Sequence, residues 1–271
     1  MVETIASGYG LVEGPTVDGD GNLYFSDVLG GGVHRWSPGG DVETVIPKRR
    51  GVGGMCLHGD GGLVVSGRDV VHVRDGESRT VLAIDGVTGF NDLSPDSEGR
   101  IYVGALRFMP FGGEEPVPGE VWRIDGEGAA EELFGGVDWP NGIGFSPDGE
   151  TVYTSDFASG EVVAFEPATR ERRVFARSPS GDADGLAVDV EGGVWVALGR
   201  GGGVGRFGPD GGLDDVLDVP AGFVSSLCFG GEDMRDLYVT TADNGEHPDR
   251  RGTLFRTRVE VAGLPVPAAR V

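Results

Sequence analysis

The sequence predicts an all-β fold, a six-bladed β-propeller with four-stranded antiparallel blades around a central channel. One pattern recurs six times along the 271 residues, at spacings of 38 to 50 residues. Each copy contains a small or polar residue, an apolar strand, an acidic or glycine turn and a second apolar strand. A repeat of roughly 40 residues with about four short strands is typical of a propeller blade. We therefore expect one propeller domain over residues 1–271.

The copies give the blades in chain order. Their starts are Glu13 (EGPTVDGDGNLYFSDV), Gly53 (GGMCLHGDGGLVVSG), Asn91 (NDLSPDSEGRIYVGA), Asn141 (NGIGFSPDGETVYTSDF), Asp184 (DGLAVDVEGGVWVAL) and Ser225 (SSLCFGGEDMRDLYVTTA). Alternating apolar residues, as in VWVA at 194–197, supply the faces through which blades pack. We expect the N-terminal stretch 2–6 to pair near residues 253–259 and to close the ring, which removes its exposed edges.

The composition excludes several classes of function. The formal net charge is -22, which repels phosphate backbones and anionic membrane surfaces, so we expect neither nucleic acid nor membrane as a partner. The sequence has no basic-then-apolar leader and no apolar run of about 18 residues, so we expect a cytoplasmic protein. No obligate protein partner is inferred. The two cysteines, Cys56 and Cys228, are expected to be buried free thiols.

The starts of the six copies carry the strongest functional signal. In a closed propeller these positions form a ring around the channel mouth, and four of the six are carboxylates or carboxamides, namely Glu13, Asn91, Asn141 and Asp184. Such side chains near the axis are costly to bury without a partner, and a hard cation is the simplest partner. Because the ring has no His or Cys, its oxygen donors favour Ca²⁺, Mg²⁺ or Mn²⁺ over a thiolate-type zinc site. The alternative is that these residues only cap strand ends or bind buried water.

Two other motifs are better explained by turns and strands. The run Asp18 to Asn22 begins like an EF-hand loop, but Leu23 stands where that loop requires glycine, so a hairpin turn is expected. The run 203–208 spells G-x-G-x-x-G but lies in a strand-rich repeat with no helix after it, which argues against dinucleotide binding.

The motifs together resemble those of the SMP-30/gluconolactonase/luciferin-regenerating family across essentially the whole chain. The runs that carry the resemblance are EGP at 13–15, FND at 90–92, PNGIGFSPDG at 140–149, DGLAVD at 184–189, and CFGG at 228–231 followed by LYVT at 237–240. The resemblance implies a six-bladed propeller, one divalent ion bound by Glu13, Asn141 and Asp184, and Asn91 facing the metal and the substrate. Ca²⁺ is the first choice for the ion, with Mg²⁺, Mn²⁺ or Zn²⁺ as alternatives.

The sequence departs from this pattern at one position. Sugar-acid lactonases that it resembles carry an arginine two residues before the channel asparagine, where this chain has Gly89. The stretch Leu106 to Gly119 lengthens the third repeat and is expected to cover the mouth as a substrate-facing lid, with Arg107 and Phe108 as substrate contacts, or else to be a surface loop packing its own aromatics. These features favour lactones or esters with apolar substituents, unless Arg107 reaches the channel.

The expected function is metal-dependent hydrolysis of a small-molecule lactone or similar ester. The ion polarises the carbonyl and Asp184 removes a proton from the attacking water, with Asn91 also in the catalytic set. If Asp184 is only a ligand, the base is Asp92, Asp156 or Asp182. The alternatives are a phosphotriesterase that uses the same metal site and a non-catalytic interaction propeller with a structural ion.

Overall fold

The architecture of the chain, seen in a computed structural model that describes residues 2–242 and 252–271, is the predicted six-bladed propeller. The described residues form 24 strands in six four-stranded antiparallel sheets and no helix. Within this part of the chain there is accordingly no helix long and apolar enough to span a membrane.

Each blade runs outward from its innermost strand in sequence order. The first blade is β2 (Val12–Val17), β3 (Leu23–Asp27), β4 (Val33–Trp36) and β5 (Val42–Ile46). The second is β6 (Met55–Leu57), β7 (Leu63–Val65), β8 (Val70–Arg74) and β9 (Glu77–Leu82). The third is β10 (Gly89–Pro95), β11 (Ile101–Leu106), β12 (Gly119–Ile124) and β13 (Ala130–Val137).

The remaining blades follow the same order. The fourth is β14 (Pro140–Phe145), β15 (Val152–Asp156), β16 (Glu161–Glu166) and β17 (Glu171–Arg177). The fifth is β18 (Leu186–Val188), β19 (Val194–Ala197), β20 (Gly203–Phe207) and β21 (Leu213–Asp218). The sixth is β22 (Val224–Gly230), β23 (Asp236–Thr241), β24 (Gly252–Arg258) and, outermost, the N-terminal β1 (Glu3–Tyr9).

Two contacts close the ring. The strand β1 pairs with β24, with Thr4 opposite Phe255 and Ser7 opposite Thr253, which confirms the predicted closure. The buried apolar residues of the described chain form six clusters, and each lies between two successive blades, including the sixth and the first. Cys56 and Cys228 belong to two of these clusters and are free thiols, as expected.

The lower face, opposite the ring, consists of tight hairpins between the first and second strands of the blades. The run Asp18 to Asn22 is such a hairpin, as predicted: the Asp18 carboxylate accepts hydrogen bonds from the backbone N–H groups of Asp20 and Asn22 at 3.0 and 2.9 Å. Asp96 and Asp189 make the same pair of bonds in the third and fifth blades.

The C-terminal segment, residues 259–271, was not predicted to have a place in the fold. It crosses the lower face, where the N–H of Leu264 donates to the Val188 carbonyl and that of Ala269 to the Leu57 carbonyl. Val188 belongs to the fifth blade and Leu57 to the second, so the segment spans the lower end of the channel. A cavity of about 890 Å³ lies between it and the inner strands.

Candidate active site

The innermost strands deliver the ring residues to the axis through local irregularities. Register shifts interrupt the pairing of β2, β10, β14 and β22 at or beside Glu13, Asn91, Asn141 and Ser225. A bulge inserts an extra residue and re-aims its side chain, which explains how polar residues inside apolar strands come to face the channel. Asp184 reaches the same level from the residue pair just before β18.

Hydroxyl groups on neighbouring blades hold this part of the backbone. Ser155 donates to the carbonyl of Asp184, and Ser225 donates to the carbonyl of Val12, the residue before Glu13, at 2.6 Å. The Ser66 hydroxyl oxygen accepts from the N–H groups of Gly53 and Gly54. The Ser155 and Ser225 bonds join successive blades at the level of the ring, and the Ser66 bonds lie within the second blade. The closed propeller therefore helps to fix the ring geometry.

The predicted site residues come together as a buried polar cluster. Glu13 is 8% exposed, Asn141 is 6% exposed and Asp184 is 3% exposed. The Asn141 amide lies beside the Asp184 carboxylate and acts to lower the pKa of that carboxylate. The Asn91 Nδ2 donates to the Pro140 carbonyl at 3.0 Å, and its Oδ1 lies over Gly53, where a Cβ would collide with it. Glycine at the second ring position thus makes room for the Asn91 amide.

A third carboxylate, Asp92, lies at the level just below the ring. The residues that follow the ring positions in the other five blades are four glycines and Ser226, because the inner strands approach too closely there for larger side chains. Asp92 is the exception, with its Oδ1 accepting from the Leu93 N–H at 2.8 Å. From the sequence, Asp92 is expected only as an alternative base. The signal for its axial position is that the other five blades have glycine or serine at the equivalent position.

The electrostatics of the cluster disfavour three free carboxylates. Burial, followed by the charges of Asp184 and Asp92, raises the pKa of Glu13 well above its usual range. Burial, then the charges of Asp92 and Asp182, raises the pKa of Asp184, although the neighbouring Asn141 amide opposes this. Burial raises the pKa of Asp92 to about 7. The arrangement therefore concentrates negative charge in a place that water reaches poorly, and a cation would stabilise it.

The donors fit a hard cation. The Oδ1 of Asp184 is buried and has no hydrogen-bond partner within the described residues, and a buried charged oxygen of this kind requires one. Within residues 2–242 and 252–271, no three Asp, Glu, His or Cys side chains form a metal-binding group by themselves. The candidate donor set has two carboxylates and one amide, Glu13, Asp184 and Asn141, all with oxygen donors suited to Ca²⁺ or Mg²⁺.

The two other carboxylates considered as bases have structural partners. Asp156 accepts from the backbone N–H groups of Asp138 and Trp139 at 3.2 and 2.9 Å. Asp182 accepts from the N–H of Arg200 at 2.9 Å and pairs with its guanidinium at 2.5 Å. Asp92 and Asp184 are left as the carboxylates with free acceptor capacity at the axis.

The rim above the ring is asymmetric. The residues two positions before the ring in each blade are Leu11, Gly51, Gly89, Trp139, Asp182 and Phe223. A row of aromatic rings, Phe108, Trp139, Phe157 and Phe223, borders the mouth along the third to sixth blades, with successive ring centroids 5.1, 4.8 and 6.1 Å apart. The sequence did not predict this aromatic row, although Trp139 and Phe223 share one register of the repeat.

The loop between β11 and β12 is tied to the rim. Arg107 pairs with Glu120, with Nε 2.9 Å from Oε1, and also donates to the Asp85 carbonyl. Phe108 is 1% exposed and packs edge-on against Trp139, while Phe111 is 66% exposed. The roles of Arg107 and Phe108 as substrate contacts stay predictions, and in this arrangement the Arg107 charge is neutralised by Glu120.

Comparison with known proteins gives relatives for the whole propeller. A family model described as SMP-30/Gluconolactonase/LRE-like region matches residues 11–243. A 6-deoxy-6-sulfogluconolactonase of Pseudomonas putida is 34% identical, over 90% of this chain and 89% of that protein. A pentonolactonase of Haloferax volcanii is also 34% identical, over 94% of this chain and 93% of its own.

Solved structures give the same architecture. A calcium-binding protein named regucalcin from Agrobacterium tumefaciens superposes with a TM-score of 0.86, covering 99% of this chain and 97% of that one. The two sequences are 23% identical, and at that distance the likeness shows a shared fold.

Proposed function

Because the chain belongs to the SMP-30/gluconolactonase/LRE-like family, we propose that it is a lactonase that hydrolyses its substrate at the axial carboxylate cluster with one bound divalent cation. Two relatives at 34% identity over most of the chain carry the names of lactonases, which supports a lactone as substrate. The observation that carries the proposal is the buried and unpartnered Oδ1 of Asp184 beside Glu13 and Asn141.

In this proposal the ion is held by Glu13, Asn141 and Asp184, with Ca²⁺ as first choice. When bound, it polarises the lactone carbonyl and stabilises the negative charge that develops on the carbonyl oxygen. Asn91 is fixed by its bond to the Pro140 carbonyl and presents its amide toward the axis, where it orients the substrate. The aromatic row limits the access of water from one side of the mouth.

The chemical step is addition of water to the ester. The water oxygen bonds to the carbonyl carbon, the ring C–O bond breaks, and the product is an open-chain hydroxy acid. A carboxylate must take the proton of the attacking water and return it to the leaving ring oxygen, which becomes the hydroxyl group of the product, and we assign this role to Asp184. Asp92 is the rival, since its pKa of about 7 suits a group that accepts and returns a proton near neutral pH.

A hydrolysis assay with purified protein tests the proposal. We expect D-glucono-1,5-lactone or a pentonolactone to be opened, the activity to disappear with EDTA, and Ca²⁺, Mg²⁺, Mn²⁺ or Zn²⁺ to restore it. A phosphotriester is assayed in parallel, because it would use the same donors. Full activity in excess EDTA would remove the metal from the mechanism, and failure of every lactone with every metal would overturn the lactonase assignment.

A further inference from the structure

The connections of the second blade carry a concentration of positive charge at the channel mouth. Lys48, Arg49 and Arg50 lie in sequence between β5 and β6, and Arg68 lies between β7 and β8. The whole chain has 22 basic residues against 44 acidic ones, so four cations in two short connections reverse the local charge balance. A feature of this kind attracts anions to one place on a protein that otherwise repels them.

Contacts place two of these arginines beside the ring. The Gly67 and Phe90 backbones pair with each other, with the Phe90 N–H 2.6 Å from the Gly67 carbonyl oxygen. Arg68 is the residue after Gly67, and Asn91 is the residue after Phe90. The Arg50 carbonyl oxygen lies 3.4 Å from the Cβ position of Gly67. Arg50 and Arg68 therefore leave the backbone from neighbouring points, one residue from the pair that positions Asn91.

Arg49 serves the structure of this corner. Its guanidinium donates to the carbonyls of Ser66 and Asp69 at 3.1 and 2.7 Å and to the Asp69 carboxylate at 2.8 Å. These bonds hold the 66–69 connection against the 47–54 connection. Arg49 thus fixes the backbone from which Arg50 and Arg68 project.

Arg50 and Arg68 differ from the other arginines of the rim. Arg107 and Arg200 are paired with Glu120 and Asp182. Arg50 and Arg68 are exposed, and within residues 2–242 and 252–271 their side chains have no hydrogen bond, ion pair or aromatic ring as a partner. Their charges remain free for a ligand.

The rim beside these arginines has glycine at two positions. The rim positions of the second and third blades are Gly51 and Gly89, whereas the fourth and sixth blades have Trp139 and Phe223 there. A Cβ built on Gly51 meets no atom within 4 Å, and one on Gly89 meets only the Gly67 carbonyl oxygen at 3.5 Å. Glycine at both positions leaves this part of the rim, next to Asn91 and to the backbone of Arg50 and Arg68, without side chains.

We propose that Arg50 and Arg68 bind an anionic group on the substrate, so that the preferred lactone carries a carboxylate, sulfonate or phosphate away from its ester. This inference rests on the proposed lactonase function and names its substrate class. Guanidinium groups form strong charge-assisted hydrogen bonds with each of these anions, and the aromatic row opposite contacts the uncharged part of the substrate.

The test compares two lactones that differ by one charged group, D-glucono-1,5-lactone and its 6-phosphate, assayed with the metal-loaded enzyme. We expect kcat/KM for the phosphorylated lactone to exceed that for the neutral one by about tenfold or more, as charge-assisted contacts allow. In the Arg50→Ala/Arg68→Ala double variant, this ratio falls to about one through a higher KM for the phosphorylated lactone. Raising NaCl from 50 to 500 mM should also lower the ratio of the two kcat/KM values in the wild type, because salt screens the attraction between the exposed arginines and the phosphate.

The Arg173→Ala/Arg177→Ala double variant is the matched control, since both are exposed arginines on the outer strand β17 and their loss removes the same two charges. We expect this variant to keep the wild-type ratio. Equal kcat/KM for the two lactones in the wild type, or a ratio unchanged in the double variant, overturns the anion site and leaves the lactonase function standing. Hydrolysis of neither lactone by the wild type overturns both.

Discussion

The carboxylates at the two ends of the inner strands come from the same repeat but have opposite surroundings. On the lower face Asp189 is fully buried and accepts from the N–H groups of Glu191 and Gly193 and from the Trp195 Nε1 at 2.8 to 2.9 Å. It also pairs with the Arg206 guanidinium at 2.8 Å. At the ring, Asp184 is equally inaccessible, yet its Oδ1 has no hydrogen-bond partner in the described part of the chain.

This contrast separates acids that stabilise the fold from acids that serve a ligand. A buried carboxylate with four donors stabilises its hairpin, because each donor would otherwise need a partner of its own. A buried carboxylate beside two other acids destabilises the empty protein, and the raised pKa values of Glu13, Asp92 and Asp184 express that cost. Such a cluster is typical of a binding or catalytic site.

The largest expected effect follows from neutralising one ring acid. Asp184→Asn keeps the shape of the side chain but removes its charge, so we expect kcat/KM for lactone hydrolysis to fall by roughly 10³-fold or more, as loss of a general base or metal ligand does. Divalent metal binding, measured by calorimetry, should weaken in parallel. The far-ultraviolet circular dichroism should be unchanged. Metal affinity and activity both at wild-type level would show that the ring cluster is not the site.

The lower face should give the reverse result. Asp189→Ala leaves the Trp195 Nε1 and the Arg206 guanidinium without their acceptor, and we expect a loss of about 3 to 5 kcal/mol in the free energy of unfolding. Urea denaturation measures this loss. The kcat/KM of the folded fraction should match the wild type, because Asp189 is on the opposite face from the ring. A variant as stable as the wild type would mean that the hairpin acids do not carry the stability of the lower face.

The contrast between the ring and the lower face also bears on which features can be predicted from the sequence. The repeat predicted six blades, their order and the closure by β1, because period-two apolar strands must bury both faces between neighbouring blades. It also predicted that Glu13, Asn141 and Asp184 lie at equivalent positions. Comparing the copies of the repeat shows the positions at which one blade differs from the others, and the candidate site residues are found at such positions.

Other features of the structure could not be predicted, because they depend on contacts between different copies of the repeat. The aromatic row joins Phe108 of the third blade, Trp139 and Phe157 of the fourth and Phe223 of the sixth. The rim near Arg50 and Arg68 lacks side chains because two blades that follow each other have glycine there, Gly51 and Gly89. The C-terminal segment carries no repeat pattern, and it is placed by backbone hydrogen bonds to the second, third, fifth and sixth blades. The sequence pattern alone does not show which residues of different blades come into contact.

The smallest expected effect concerns Asp92 and the pH dependence of stability in the metal-free protein. Its folded pKa is about 7 because of burial, whereas an aspartate in an unfolded chain titrates near pH 3.9. Between these values the folded protein holds a proton that the unfolded chain has released. The free energy of unfolding therefore decreases as the pH rises from about 4 to 7, and this contribution becomes constant above that window.

Asp92→Asn should remove this contribution. We expect the variant in EDTA to gain about 2 to 4 kcal/mol over the wild type between pH 4 and pH 8, as a shift of this size implies. Urea unfolding of both proteins at several pH values measures the difference. Asp96→Asn is the control, because Asp96 already accepts two backbone N–H groups and pairs with Arg100 on the lower face. A constant difference between Asp92→Asn and wild type over this range would place the Asp92 carboxylate in contact with water, and the division between the two ends of the strands would then apply only to Glu13 and Asp184.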